Sequence, residues 1–286
     1  MKFITYGAYV WFPVMASLAW LSTLLGLLLL WILRDDHRQY KDREATVVFI
    51  SDAGAAHLAL FIPGCALVFI FYTLSLLSER WLRHSNRIPG TIRRRETYWG
   101  IASLITGTLG GFWLLMLSCF NTFAHSTLHW SFTILFILCV AFSSICQTIE
   151  IIYLHQDHPS RAHLKRNALL KLCIVGLAIG VAVLFAILYG ICHGKNTSDR
   201  CNVVISAAGA CEWLVSFILM FYFMTFILDL WPAAKTSTHY HGKALQKETG
   251  LTETENKIDQ IQEPQPKVKS DPITVITDEG NISRVV

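Results

Sequence analysis

The chain has 286 residues, 53% of them hydrophobic and 15% charged, with a mean hydropathy of +0.44. That balance excludes an ordinary soluble globular domain and points to a bilayer as solvent. The formal net charge of +4 is small, and the bases sit in short blocks between apolar runs, which excludes nucleic acid as a partner.

A membrane-crossing helix needs about 20 largely apolar residues, because the hydrocarbon core is roughly 30 Å thick and a helix rises about 1.5 Å per residue. Six stretches meet that requirement: 3–33, 58–77, 99–119, 130–149, 172–191 and 203–228. The expected fold is therefore all-α, a bundle of six transmembrane helices over residues 1–231. The first stretch follows a single lysine and shows no small-residue cleavage site, so it is expected to stay as a helix and not be removed as a signal peptide. Pro13, and the pair Pro63 and Gly64 in the second stretch, suggest kinks that neighbouring helices can tolerate.

The segment before the second span reads Ile50-Ser51-Asp52-Ala53-Gly54-Ala55-Ala56-His57. Ser51 or Asp52 can cap a helix there, and the same residues with His57 form a polar cluster at the membrane interface. The next loop carries Arg80, Arg83, Arg87, Arg93, Arg94 and Arg95; the run Arg93 to Arg95 is a candidate for holding anionic headgroups. Between the third and fourth spans lies Asn121 to His129. His125 and His129 would share a face if that segment were helical, and with Asp52 and His57 they make one conceivable set of zinc ligands, although no HExxH motif is present.

Gly107-x-x-x-Gly111 and Gly176-x-x-x-Gly180 read as close helix packing in the third and fifth spans. Cys192 and Cys201 flank a short polar loop and can pair if it faces an oxidising compartment. The other six cysteines lie in or beside apolar runs and read as packing residues. Asn196 opens a glycosylation sequon in the same loop.

Among the six stretches only the last contains a charge, Glu212, followed by Trp213 and preceded by the small run Ala207 to Ala210. An ionisable group at that depth must face protein or water. It is either an interhelical hydrogen bond from a protonated carboxyl or a functional site, and the small run would let a neighbouring helix approach. After Trp231-Pro232 the composition turns polar, so residues 232–286 are expected to form a disordered tail.

Orientation follows from the short loops. The segments 79–98 and 155–171 are rich in Lys and Arg and belong in the cytosol, which puts both termini there and Asn196 outside. The second sequon, at Asn281, should then stay unused. There is no nucleophile elbow, P-loop or dinucleotide fingerprint, so no catalytic residue, no resident metal and no cofactor is expected.

The order of Ile50-Ser51-Asp52, the Asn121 to His129 segment, Ala210-Cys211-Glu212-Trp213 and the aromatic run Phe217 to Phe226 resembles the Frag/DRAM/Sfk family of six-span membrane proteins over about residues 1 to 231. The resemblance implies a non-enzymatic protein acting in lipid organisation. Its Sfk branch, which is similar in carrying a long polar tail, implies a plasma-membrane protein that assists a phosphatidylinositol 4-kinase complex and phospholipid distribution. Membrane lipids, phosphoinositides or other anionic phospholipids, are the implied partners. Alternative readings are a metal-dependent lipid hydrolase using the Asp52, His57, His125 and His129 set, a lysosomal autophagy modulator, and a small-solute transporter centred on Glu212.

Overall fold

The computed structural model describes residues 8–42, 44–85, 88, 94–157 and 162–262, with 157, 162, 163 and 232–262 as backbone alone. Among the described residues every regular element is helical: α1 (Trp11–Leu29), α2 (Ile50–Ala56), α3 (Leu58–His84), α4 (Arg94–Cys119), α5 (Ser126–Asp157), α6 (Ala162–Ile191) and α7 (Asp199–Gln262). A π-helical turn, Leu30–Arg34, extends α1. The chain divides into two units, Met1–His239 and Tyr240–Val286, and helical backbone covers 240–262 of the second. The remainder of the expected tail, with the Asn281 sequon, lies outside the described residues.

Six helices are long and apolar enough to cross a membrane: Ala8–Arg34, Leu58–His84, Arg94–Cys119, Ser126–Gln156, Leu164–Ile191 and Asp199–Trp231. This is a multi-pass helical membrane protein. The helices outrun the apolar stretches, and the expectation of one intramembrane charge is corrected. The extended spans also hold Glu79, Arg83, Glu150, Lys171 and Asp229, all buried. Helix continues through them because each charge meets an opposite one.

Consecutive helices pack as neighbours, α1 on α3, α3 on α4, α4 on α5 and α5 on α6. Lipid tails are as apolar as leucine, so close packing and polar ties hold such a bundle in place of hydrophobic exclusion. At Gly64 a side chain would strike Thr23 of α1, and at Gly107 it would meet Leu76, Ser143 and the Tyr72 hydroxyl. Gly111 is likewise closed by Phe69. The second small-residue motif behaves otherwise: no atom lies within 4 Å of where a side chain at Gly176 or Gly180 would begin. Half of the apolar window of α7 is buried (50%) but only 11% of that of α6, so α6 is peripheral and its glycines face outward. Pro13 falls in the first turn of α1, where its missing N–H is harmless, and Pro63 lies inside α3, which runs on to His84.

The central core joins α1, α3 and α7 through Trp20, Leu24, Phe61, Tyr72, Phe223 and Phe226. Tyr72 packs against both phenylalanines at ring distances of 4.9 and 5.7 Å. The Trp20 indole donates to the Ser216 carbonyl at 2.8 Å, fixing α1 against α7.

Candidate functional site: a polar chamber and an apolar groove

Cys192 and Cys201 are bonded, with Cα atoms 5.7 Å apart, and mark one end of the bundle. At this end the loop after α1 returns along α7 as an irregular strap. Thr46 N–H donates to Asn202 Oδ1 at 3.0 Å, and Val47 N–H to Ser206 Oγ at 3.3 Å. The Trp213 indole donates to the Val48 carbonyl at 3.0 Å. A side chain at Gly209 would begin 2.8 Å from the Val47 carbonyl oxygen. The small run Ala207 to Ala210 therefore admits the strap's backbone at Gly209, while Ala208 packs in a cluster with Phe185 and Leu188 of α6.

The strap ends at Ile50, whose N–H donates to Glu212 Oε2 at 2.8 Å. Glu212 thus supplies from α7 the acceptor that α2 lacks, since Phe49 stands at its N-terminal boundary without a side-chain cap. The expected cap by Ser51 or Asp52 is corrected accordingly, and the interhelical bond expected of Glu212 joins α7 to α2 with the carboxyl as acceptor. Asp52 is buried and forms an ion pair with Lys41, which also donates to Thr122 Oγ1 at 3.0 Å and lies over the Phe123 ring.

Glu44 folds beneath the same lysine. Its Oε2 accepts the Tyr40 N–H at 2.5 Å and the Lys41 N–H at 3.2 Å, and its buried carboxyl is hydrogen-bonded to that of Asp52. Burial first, and next the Asp52 carboxylate, push the Glu44 carboxyl up to about 7. A second cluster lies beside it: Asp35 Oδ2 accepts the Tyr40 hydroxyl at 2.5 Å and meets His57 Nε2 at 2.8 Å. The Tyr40 hydroxyl bond holds Asp35 below the usual carboxylate range, while burial, with Asp35 next, pushes Tyr40 up.

The first of these clusters borders a cavity of about 320 Å³ lined by Lys41, Glu44, Asp52, His129, Lys195 and Glu212 among others. Ser51, Thr133 and Phe185 are also in its wall. An apolar groove of about 140 Å³ between α5, α6 and α7 shares Thr133, Phe185 and Glu212 with it and runs on to Tyr222. The chamber and the groove meet at Glu212.

The residues of the zinc reading do not converge. His129 is buried and its Nδ1 lies 2.9 Å from the Leu117 carbonyl and 3.1 Å from that of Phe120, so that nitrogen carries the proton. His57 is taken by Asp35, and His125 is exposed with its ring 5.6 Å from that of Phe120. Among the described residues no three His, Cys, Asp or Glu side chains gather as a metal site. Asn121 closes a turn, its Oδ1 accepting the N–H groups of Phe123 and Ala124. Asn196 donates to the Glu44 carbonyl at 3.2 Å and to Asn202 at 3.3 Å. Arg93 lies outside the described residues, Arg94 is exposed, and the Arg95 guanidinium lies 4.2 Å over the Tyr153 ring.

The opposite end of the bundle carries a network that hydropathy alone does not reveal. Arg83 pairs with Glu79 at 2.5 Å and with Glu150 at 3.4 Å, and Arg80 reaches Glu150 at 3.7 Å. Gln147 donates to Glu79 at 2.6 Å and accepts from Lys171 at 2.7 Å. Lys171 also meets Asp229 at 2.6 Å, and Asn167 donates to Asp229 at 3.0 Å. Three acids here balance three bases and tie α3, α5, α6 and α7 together, around a cavity of only about 10 Å³ beside Glu79. In the chamber wall four carboxylates, Asp42, Glu44, Asp52 and Glu212, stand against two lysines, Lys41 and Lys195. The balanced, closed network is a clamp, and the unbalanced, open chamber is the candidate binding site.

Comparison with known proteins agrees with this architecture. The chain is 29% identical over 226 residues to Protein sfk1 of Schizosaccharomyces pombe, an alignment covering 79% of this chain and 64% of that protein. The chain thus spans just under two thirds of the relative's length. No solved structure matches. The model of the Frag1/DRAM/Sfk1/Cwh43P N-terminal domain matches residues 8–233, and the chain belongs to that family.

Proposed function

We propose that this chain is a non-enzymatic membrane scaffold that supports phosphoinositide synthesis, through a phosphatidylinositol 4-kinase complex, and phospholipid organisation at the plasma membrane. One observation carries the reading. Asp229, near the end of the sixth span, is tied to Asn167 and Lys171 at the start of α6, so the chain leaves that span at the end where α4 begins with Arg94 and Arg95.

That end holds the Lys- and Arg-rich connections, and the positive-inside rule assigns it to the cytosol. The polar tail after Trp231 and the basic connection after α3 then face one compartment, where a peripheral kinase works on the inner leaflet. The arginines attract anionic headgroups, each contributing about 1 kcal/mol near such a surface. Both termini are cytosolic in this reading, and the disulfide loop lies outside.

The test is deletion of Pro232 to Val286 in cells that carry a phosphatidylinositol 4-phosphate sensor. The expected result is loss of kinase-complex recruitment to the plasma membrane and a weaker sensor signal. Unchanged recruitment with an unchanged signal overturns the proposal.

A further inference from the structure

We infer that the chamber and its groove bind one glycerophospholipid whose headgroup ends in a primary ammonium, of the phosphatidylethanolamine type. The headgroup sits among the carboxylates and an acyl chain lies between α5, α6 and α7. The inference stands on the geometry of this cavity and is independent of the kinase reading.

The shape gives the class of ligand. A polar chamber at one end of the spans opens through Glu212 into an apolar groove at membrane depth, and the two together present one polar and one apolar surface to a single molecule. The chamber volume of about 320 Å³ suits a headgroup and no more; whole ligand pockets run from roughly 300 to 1,000 Å³. The groove is walled by Ile174, Ala178, Val215 and Leu219, apolar side chains suited to an acyl chain.

The charge gives the headgroup. Four acidic side chains against two lysines disfavour a phosphoinositide, whose phosphates would add negative charge to an acidic wall. A headgroup with one phosphodiester and one ammonium adds no net charge. Glu44 is 7% exposed, lines the chamber with Asp52, and the two carboxyls are hydrogen-bonded to each other. Two acids that share a proton can instead both accept from one N–H donor group placed between them. A primary ammonium has N–H donors to give, whereas the quaternary ammonium of a choline headgroup has none. Lys195 in the same wall is the cation left for the phosphodiester, Lys41 being paired with Asp52.

The full chain in detergent micelles is mixed with equal amounts of phosphatidylethanolamine, phosphatidylcholine and phosphatidylinositol, and retained lipid is weighed by native mass spectrometry. One phosphatidylethanolamine per chain is expected, favoured about tenfold over phosphatidylcholine, the worth of one charge-assisted hydrogen bond. Glu44→Gln should bring that ratio close to one, and Ala178→Phe should lower retention of all three lipids by narrowing the groove.

A second series needs no variant. Mono-, di- and trimethylated phosphatidylethanolamine offered to the unaltered chain should be retained in falling order as N–H donors are lost. A flat methylation series, or phosphatidylinositol retained above phosphatidylethanolamine, overturns the inference whatever Glu44→Gln does. Recruitment of a kinase complex enters neither readout, so either proposal can fail alone.

Discussion

Replacing Lys171 by methionine removes an ammonium that is fully buried, meets Asp229 at 2.6 Å and donates to Gln147 at 2.7 Å. Methionine keeps the apolar stem against Phe226 but leaves the Asp229 carboxylate with only the Asn167 amide. Removing one partner of a buried pair costs about 3–5 kcal/mol, because the survivor's charge is left uncompensated. Asp229→Leu should cost a similar amount, since it strands the lysine. The double variant should recover much of the loss, as replacing a buried pair by apolar groups is often neutral.

The assay is a thermal melt of the full chain in detergent micelles, with the four members of the cycle compared. At roughly 2–4 °C per kcal/mol, each single variant should melt about 6–20 °C lower and the double variant within about 4 °C of the parent. Single variants that melt with the parent, or a double variant showing the plain sum of the two losses, would refute the reasoning. Lys171 would then be a solvated loop charge, as its sequence position alone suggests.

The Glu44 carboxyl is raised from its ordinary value to about 7, so between pH 4.5 and 7 the folded chain binds more protons there than the unfolded chain. Its contribution therefore favours folding at low pH and is lost as pH rises through that window, with a ceiling of roughly 3 kcal/mol. Melts of Glu44→Gln should show a flatter slope than the parent between those limits, and equal slopes count against the assignment. Glu212→Ala removes the acceptor for the Ile50 N–H and should cost about 1–3 kcal/mol, while Glu212→Gln keeps an acceptor and most of the stability; protease cleavage in the strap reads the difference. Gly107→Leu must displace Leu76 and Ser143 and should cost about 1–3 kcal/mol in the melt, whereas Gly176→Leu, with open space beside it, should stay within about 0.5 kcal/mol of the parent.

The spans were legible because apolar runs of about twenty residues seldom occur outside a bilayer, and Glu212 stood out as a charge deep inside one. The clamp escaped for a narrow reason. Glu150 follows Ile149, Lys171 precedes Leu172 and Asp229 follows Leu228, so each charge sits one residue beyond the apolar stretch that hydropathy marks. Counting them as solvated loop charges is the natural error. Their clustering at one end with balanced sign was the available signal. The strap left no periodic pattern, because Thr46 to Val48 are held by bonds to Asn202, Ser206 and Trp213 more than 150 positions along the chain. The run Ala207 to Ala210 did announce a close approach, but small residues alone do not tell a helix from a loop backbone.

The two ends of the bundle answer the same problem differently. Between lipid-facing helices polar ties specify the arrangement, and at the clamp they bind α3, α5, α6 and α7 into one closed set. At the other end the ties run from the strap to α7, and α6 is joined to α7 through the disulfide loop. Helix α6 is thus fastened near Asn167 and Lys171 and again at Cys192, while its middle packs on α7 through Val175 and Val181 and turns Gly176 and Gly180 to open space. The groove opens along this middle stretch. A bundle built only for stability would close it with the packing seen at Gly64 and Gly107, and an open groove beside an acidic chamber is what the lipid site inferred above needs.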